Sequence, residues 1–130
     1  MIGILLITHG TLGEALLQNV CHILGKRPPL LAQLGVAAQD DPLELLPLAR
    51  RRLRQVDDGA GVLVMTDIFG ATPANVARKL LEPGKVEGVS GVSLPMLLRA
   101  LTYREQGLAT MAEKAVSGAR DGALNMQEEN

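Results

Sequence analysis

Two stretches of this chain, IGILLIT at residues 2–8 and GVLVMTD at residues 61–67, carry an apolar run that no alternation interrupts. A strand with one wet face alternates apolar and polar residues. A short continuous run, bounded by glycine, fits a strand covered on both faces. This feature limits the fold more than any other, because strands buried on both faces belong to parallel sheets with helices above and below. The intervening sequence supplies the helices. TLGEALLQNVCHIL, from Thr11, sets Ala15, Leu16, Gln18, Asn19, Val20 and Ile23 along one largely apolar face, and Gly25 with Pro28 and Pro29 ends it. LLAQLGV at 30–36 reads as a second strand.

Asp40 and Asp41 before Pro42 mark the start of a helix carrying Leu45, Leu46, Leu48, Ala49, Leu53 and Val56. Pro47 is expected to kink that helix or to shift its start. Thr72 reads as an N-cap with Pro73 at the first position of PANVARKLLE, which Pro83 and Gly84 close. VEGVSGVS at 86–93 is a fourth, short strand. LPMLLRALTYRE and LATMAEKAVSGAR form two further helices, and QEEN at the end reads as a frayed tail. The expected architecture is an open, doubly wound α/β sheet, mostly parallel, in the order 2-1-3-4 with helices on both faces.

At 130 residues one domain over 1–130 is expected. Its core must be aliphatic, since the chain has no Trp, one Phe and one Tyr. A formal net charge of −1 and a single basic cluster, RRRLR at 50–54 inside a helical pattern, read as a solvated helix face and give no basis for nucleic-acid binding. The lone Cys21 reads as a buried structural thiol and His22 as a surface or packing residue. No secretory leader and no run long enough for a bilayer is seen, so a cytoplasmic protein with no membrane insertion is expected. No Cys–His cluster, Walker A loop, GxGxxG fingerprint or nucleophile elbow occurs. Neither a metal nor an organic cofactor is therefore expected.

Chemistry then centres on His9. Standing at the end of the first strand, it could be a nucleophile, an acid or base, a metal ligand, or a cap on a core strand. In a sheet of order 2-1-3-4 the first and third strands are neighbours at the switch point, where such sheets bind ligands. His9 and Asp67 are thereby brought together by topology. A carboxylate on one ring N–H fixes the tautomer, leaves the other nitrogen as a nucleophile, and stabilises the ring once it is charged. Gly10 permits close approach beside the ring. Gly70 and Ala71 precede a helix start at Thr72, whose open N–H groups and hydroxyl suit a phosphoryl anion. Each residue alone has a plain reading: strand cap, turn former, helix cap. Their convergence fits a histidine that carries phosphate.

ILLITHGTLGEAL, VLVMTDIFGATPANVA and GVSLPML, in that order and spacing, resemble the mannose-type enzyme IIA of the bacterial phosphoenolpyruvate-dependent sugar phosphotransferase system. The similarity runs through nearly the whole chain. It implies four parallel strands plus an antiparallel edge strand exchanged across a homodimer, for which GALNM at 122–126 is the candidate. It also implies that His9 takes a phosphoryl group from phospho-HPr and hands it to a separate IIB protein, with Asp67 as partner of the ring. Gly70, Ala71 and Thr72 match the phosphate-facing loop. Phe69, Ser93, Pro95 and Met96 fall at the site edge or partner rim, with Ser93 where the family commonly has Asn. Other readings are a regulatory relay in an incomplete system and the phosphotransfer subunit of dihydroxyacetone kinase. A histidine phosphatase would need Arg where Thr8 stands.

Overall fold

The structure, a computed structural model, describes residues 1–127. Its elements are β1 (Gly3–His9), α1 (Leu12–Leu24), β2 (Leu31–Val36), α2 (Pro42–Val56), β3 (Val62–Thr66), α3 (Thr72–Arg78), β4 (Val86–Ser90), α4 (Leu94–Thr102) and α5 (Leu108–Asp121). All three strand pairs are parallel, in the order β2-β1-β3-β4. The α/β sheet expected from the uninterrupted apolar runs is the one found.

Alternation along the central strands divides the core in two. Ile4 and Leu6 of β1, with Leu63 and Met65 of β3, meet Leu16, Leu17 and Val20 of α1 and the apolar faces of α4 and α5. Leu5 and Ile7, with Val62 and Val64, meet Leu45 and Ala49 of α2 and Val76 and Ala77 of α3. Each fully buried aliphatic side chain contributes roughly 1.5–3 kcal/mol, so these two strands anchor the molecule.

Several local expectations are corrected. The buried stripe of α1 is Gly13, Leu16, Leu17 and Val20, the i, i+3, i+4, i+7 set; Ala15, Gln18, Asn19 and Ile23 face solvent. Pro47 neither breaks nor delays α2, which runs on from Pro42, with the Asp41 carboxylate accepting the Leu43 N–H at 2.9 Å. α3 is capped by Ala71, which takes the extended backbone of a cap; Thr72 is already helical, and the helix stops at Arg78. Cys21 is half-buried.

Residues 123–125 of GALNM adopt no strand, and Leu124 and Met126 are exposed. A strand needs a ladder partner, and this segment has none among the described residues. Residues 128–130 of the expected tail lie outside the described residues.

Four arginines find backbone carbonyls, Arg50 reaching that of Lys79 at 3.4 Å. On the outer side of β2, Arg27 donates to the Leu31 carbonyl at 2.8 Å and Arg52 to the Gln33 carbonyl at 2.9 Å. Arg50, Arg51 and Arg54 are exposed, as a solvated helix face predicts. Arg104 is buried and clips the start of the sheet, donating from Nε to the Ile2 carbonyl at 2.7 Å and from Nη2 to the Leu30 carbonyl at 2.9 Å. Among the described residues no helix is long and apolar enough to cross a membrane.

Candidate active site

Parallel pairing of β1 with β3 puts Ile7 opposite Thr66, so His9, the last residue of β1, and Asp67, the first residue after β3, come together at one end of the sheet. One carboxylate oxygen, Asp67 Oδ2, accepts two bonds from the same residue: the His9 main-chain N–H at 3.0 Å and the ring nitrogen Nδ1 at 2.8 Å. Its other oxygen accepts the Ile68 N–H at 3.1 Å. The histidine's main chain and ring are therefore gripped at a single point.

The two side chains differ in exposure, 10% for Asp67 and 49% for His9. Burial pushes the Asp67 carboxyl up. The hydrogen bonds from the His9 main chain, the His9 ring and its own main chain, with the charge of the ring, together outweigh burial and hold it below the usual carboxylate range. At neutral pH it is an anion. An anion on Nδ1 requires a proton there, so the lone pair of the neutral ring stands on Nε2 of a half-exposed side chain.

The backbone around the pair is shaped by glycine at two points. Gly10 and Gly70 have φ of 54° and 90°, left-handed values that side chains rarely adopt. Ala71 and Thr72 are half-buried at the start of α3, and no side chain caps that helix, so its first-turn N–H groups remain open toward the same edge. Phe69 is 72% exposed and Ile68 is exposed beside it. The Arg78 guanidinium lies 6.0 Å from the centre of the Phe69 ring.

The carboxyl end of β4 supplies the rest of the rim. Ser93 caps α4, its Oγ accepting the Met96 N–H at 3.2 Å. Serine and asparagine cap helices about equally well, which accounts for serine at this position. Pro95 is exposed. Met96 does not belong to the rim: it is 1% exposed and packs in the core under α4 and α5.

Sequence reasoning passed over three contributors. Thr8 is fully buried, and its Oγ1 accepts the Gly13 N–H at 2.8 Å. Gly35 lies opposite Thr8 in β2, where a Cβ would overlap the Gly10 carbonyl oxygen. Ile68, 60% exposed, adds to the apolar surface that Phe69 presents. A threonine five residues before a glycine at a strand-to-helix junction was the available signal for the first.

The edge around His9 is open. A groove of about 740 Å³ between α1 and β2, lined by Gln18, Cys21, Arg27, Gln33 and Arg52 among others, includes neither His9 nor Asp67. A smaller one of about 240 Å³ has Phe69, Arg78, Leu81 and Ser90 on its walls. A half-exposed ring on an open edge, with exposed apolar side chains nearby, suits contact with another macromolecule better than enclosure of a small molecule.

A doubly wound sheet with such an edge defines a protein class, and comparison with known families identifies it. Residues 3–117 match the family model described as PTS system fructose IIA component, and the chain belongs to that family. It is thus a IIA component of the mannose/fructose type of sugar phosphotransferase system, a family of phosphotransferases. Among curated relatives, the fructose-specific EIIA component of Bacillus subtilis (strain 168) is 30% identical over 106 residues, covering 81% of this chain and 72% of that one. The mannose-specific EIIAB component of Escherichia coli (strain K12) is 27% identical over 124 residues, or 93% of this chain. The chain spans 38% of that relative's length. In fold, it is similar to the EIIA component from Streptococcus agalactiae, with a TM-score of 0.86, 24% identity and coverage of 98% and 99% of the two chains. It is likewise similar to the mannose/sorbose-specific IIA subunit from Enterococcus faecalis, with a TM-score of 0.83, 21% identity and coverage of 95% and 93%.

Proposed function

We propose that the chain is a phosphoryl carrier in which His9 takes the group from phospho-HPr and delivers it to a IIB acceptor for sugar uptake. The observation that carries this reading is the 2.8 Å contact between His9 Nδ1 and Asp67, which commits one ring nitrogen and leaves the other exposed. In the forward step the Nε2 lone pair attacks phosphorus in line. The bond from phosphorus to the donor's histidine breaks, and the electron pair returns to the donor's ring. The Nδ1 proton stays where it is, so the phosphorylated ring is an imidazolium facing the Asp67 carboxylate.

The N–H groups of Gly70, Ala71 and Thr72, with the Thr72 hydroxyl, receive the equatorial phosphoryl oxygens, and Gly10 leaves room beside the ring. Catalysis comes from positioning and charge, as in phosphoryl transfer generally. Delivery reverses the same step toward the acceptor. Phe69, with Ile68, forms the apolar part of the surface on which both proteins dock; Ser93 and Pro95 lie farther along the same edge. No metal or organic cofactor enters any step. The reading places the protein in the cytoplasm as a homodimer. Within it, an exchanged strand would pair with the outer edge of β4, which among the described residues carries only the short Glu82–Val86 bridge.

Intact-mass spectrometry after incubation with phosphoenolpyruvate, enzyme I and HPr tests the proposal. The expected result is one acid-labile phosphoryl group on the wild type and none on His9→Ala. Equal labelling of both, or none on the wild type with active partner proteins, would refute it.

A further inference from the structure

Three main-chain donors in the turn from His9 to Gly13 are held by its neighbours. His9 N–H goes to Asp67, and Gly10 N–H goes to the Val36 carbonyl at 2.9 Å. Gly13 N–H goes to Thr8 Oγ1. That last bond is unusual, because the nominal cap of α1, Thr11, makes no side-chain cap. A residue still inside β1 satisfies the first turn of the helix that follows, and so ties strand and helix together across the histidine.

Packing closes the same turn from below. Gly35 is flush beneath the Gly10 carbonyl, with no space for a Cβ. At Gly13 a Cβ would stand 3.0 Å from Thr8 Oγ1 and 3.1 Å from Gln33 Oε1, tighter than ordinary contact. The two glycines let the turn sit low on the ends of β1 and β2. Height matters here because one Asp67 oxygen must reach both the main-chain N–H and the ring of His9.

We infer that Thr8, Gly13 and Gly35, none of which touches the reacting atoms, are positioning residues. They hold the His9 main chain where a single carboxylate oxygen can fix the ring's tautomer. Adding a methyl group at Gly35 forces the Gly10 carbonyl upward by roughly 1 Å to regain an ordinary contact distance. The His9 N–H and Nδ1 cannot then both stay on Asp67 Oδ2, and the ring proton redistributes between the two nitrogens.

The inference rests on the carrier reading for its effect on rate, but not for its effect on the ring. The test therefore measures both. Gly35→Ala and, as a control, Gly88→Ala are labelled with ¹⁵N-histidine. Gly88 is also a strand glycine, but there a Cβ meets only the end of the Leu81 side chain, at 2.9 Å. Nitrogen and proton resonances of the His9 ring report the tautomer, and phosphoryl transfer from phospho-HPr is timed in parallel.

Gly35→Ala should lose the hydrogen-bonded Nδ1–H signal and slow transfer by about 10- to 100-fold, the scale of a 1 Å misplacement. Gly88→Ala should do neither. If Gly35→Ala does not fold, Thr8→Val and Thr8→Ser decide: the first removes the acceptor for Gly13 N–H and should shift the ring signals, and the second should restore them. A wild-type ring spectrum in folded Gly35→Ala or in Thr8→Val overturns the inference. Absence of transfer in the wild type would refute the carrier reading while leaving the ring measurement to stand alone.

Discussion

Replacing Asp67 by Asn tests the chemistry at its narrowest point. Three donors converge on the carboxylate: the His9 N–H and ring at one oxygen, and the Ile68 N–H at the other. An amide offers only one oxygen. If that oxygen faces His9, the amide NH₂ opposes the Ile68 N–H. If it faces Ile68, the NH₂ opposes the His9 N–H and demands a lone pair on Nδ1, which moves the ring proton to Nε2 and removes the nucleophile. In either orientation the negative charge that steadies the phosphorylated imidazolium is gone. Two unit charges about 4 Å apart interact by roughly 4 kcal/mol at an effective dielectric of 20. His9 is 49% exposed, so screening reduces this. A remaining 1.5–3 kcal/mol, on the order of 10- to 100-fold in rate, is expected. Single-turnover transfer from phospho-HPr, quenched and counted as acid-labile phosphate, reads it directly. A rate for Asp67→Asn within threefold of wild type would refute the proposed role of the carboxylate.

The same carboxyl sets a pH dependence. Its folded pKa lies below the unfolded value, so its stabilisation is present above about pH 4 and is lost as the pH falls toward the lower folded value; urea titrations from pH 6 downward should show a flatter loss in Asp67→Asn than in wild type. Ser93→Ala should cost about 1 kcal/mol by removing the α4 cap, whereas Ser93→Asn should be nearly neutral; equal losses in both, by urea unfolding, would argue against the cap. Arg104→Met strands the Ile2 carbonyl and should destabilise by about 2–4 kcal/mol, and a loss under about 0.5 kcal/mol would contradict the clip seen at the sheet's start. Phe69→Ala should change stability by less than about 0.5 kcal/mol but raise KM for phospho-HPr severalfold at unchanged kcat. Steady-state kinetics showing an unchanged KM would remove Phe69 from the docking surface.

What could be read beforehand, and what could not, follows from the range of each interaction. The uninterrupted apolar runs of β1 and β3 betray burial on both faces, and a parallel order brings His9 to Asp67 with no knowledge of side-chain geometry. Features set by packing between distant segments were silent. Nothing local marks Arg104 as buried, because its partners are carbonyls at residues 2 and 30. Gly35 looks like a weak point in a strand until the Gly10 carbonyl is seen lying on it. Met96 and Ser93 stand in one motif yet part company, one into the core and one onto a helix end, because α4 turns inward after its cap. Ile23 shows the converse error: an apolar residue at the end of α1 was read into the buried face, but the helix has by then run past the sheet.

The two guanidinium groups on β2 have a consequence for assembly. An outermost strand with free carbonyls is a template on which further chains can add indefinitely. Arg27 and Arg52 occupy the Leu31 and Gln33 carbonyls, so two acceptors on that margin are already satisfied from within the molecule. A chain arriving there must displace both guanidinium groups before it can pair, which makes the β2 margin a poorer template than one whose acceptors stand free.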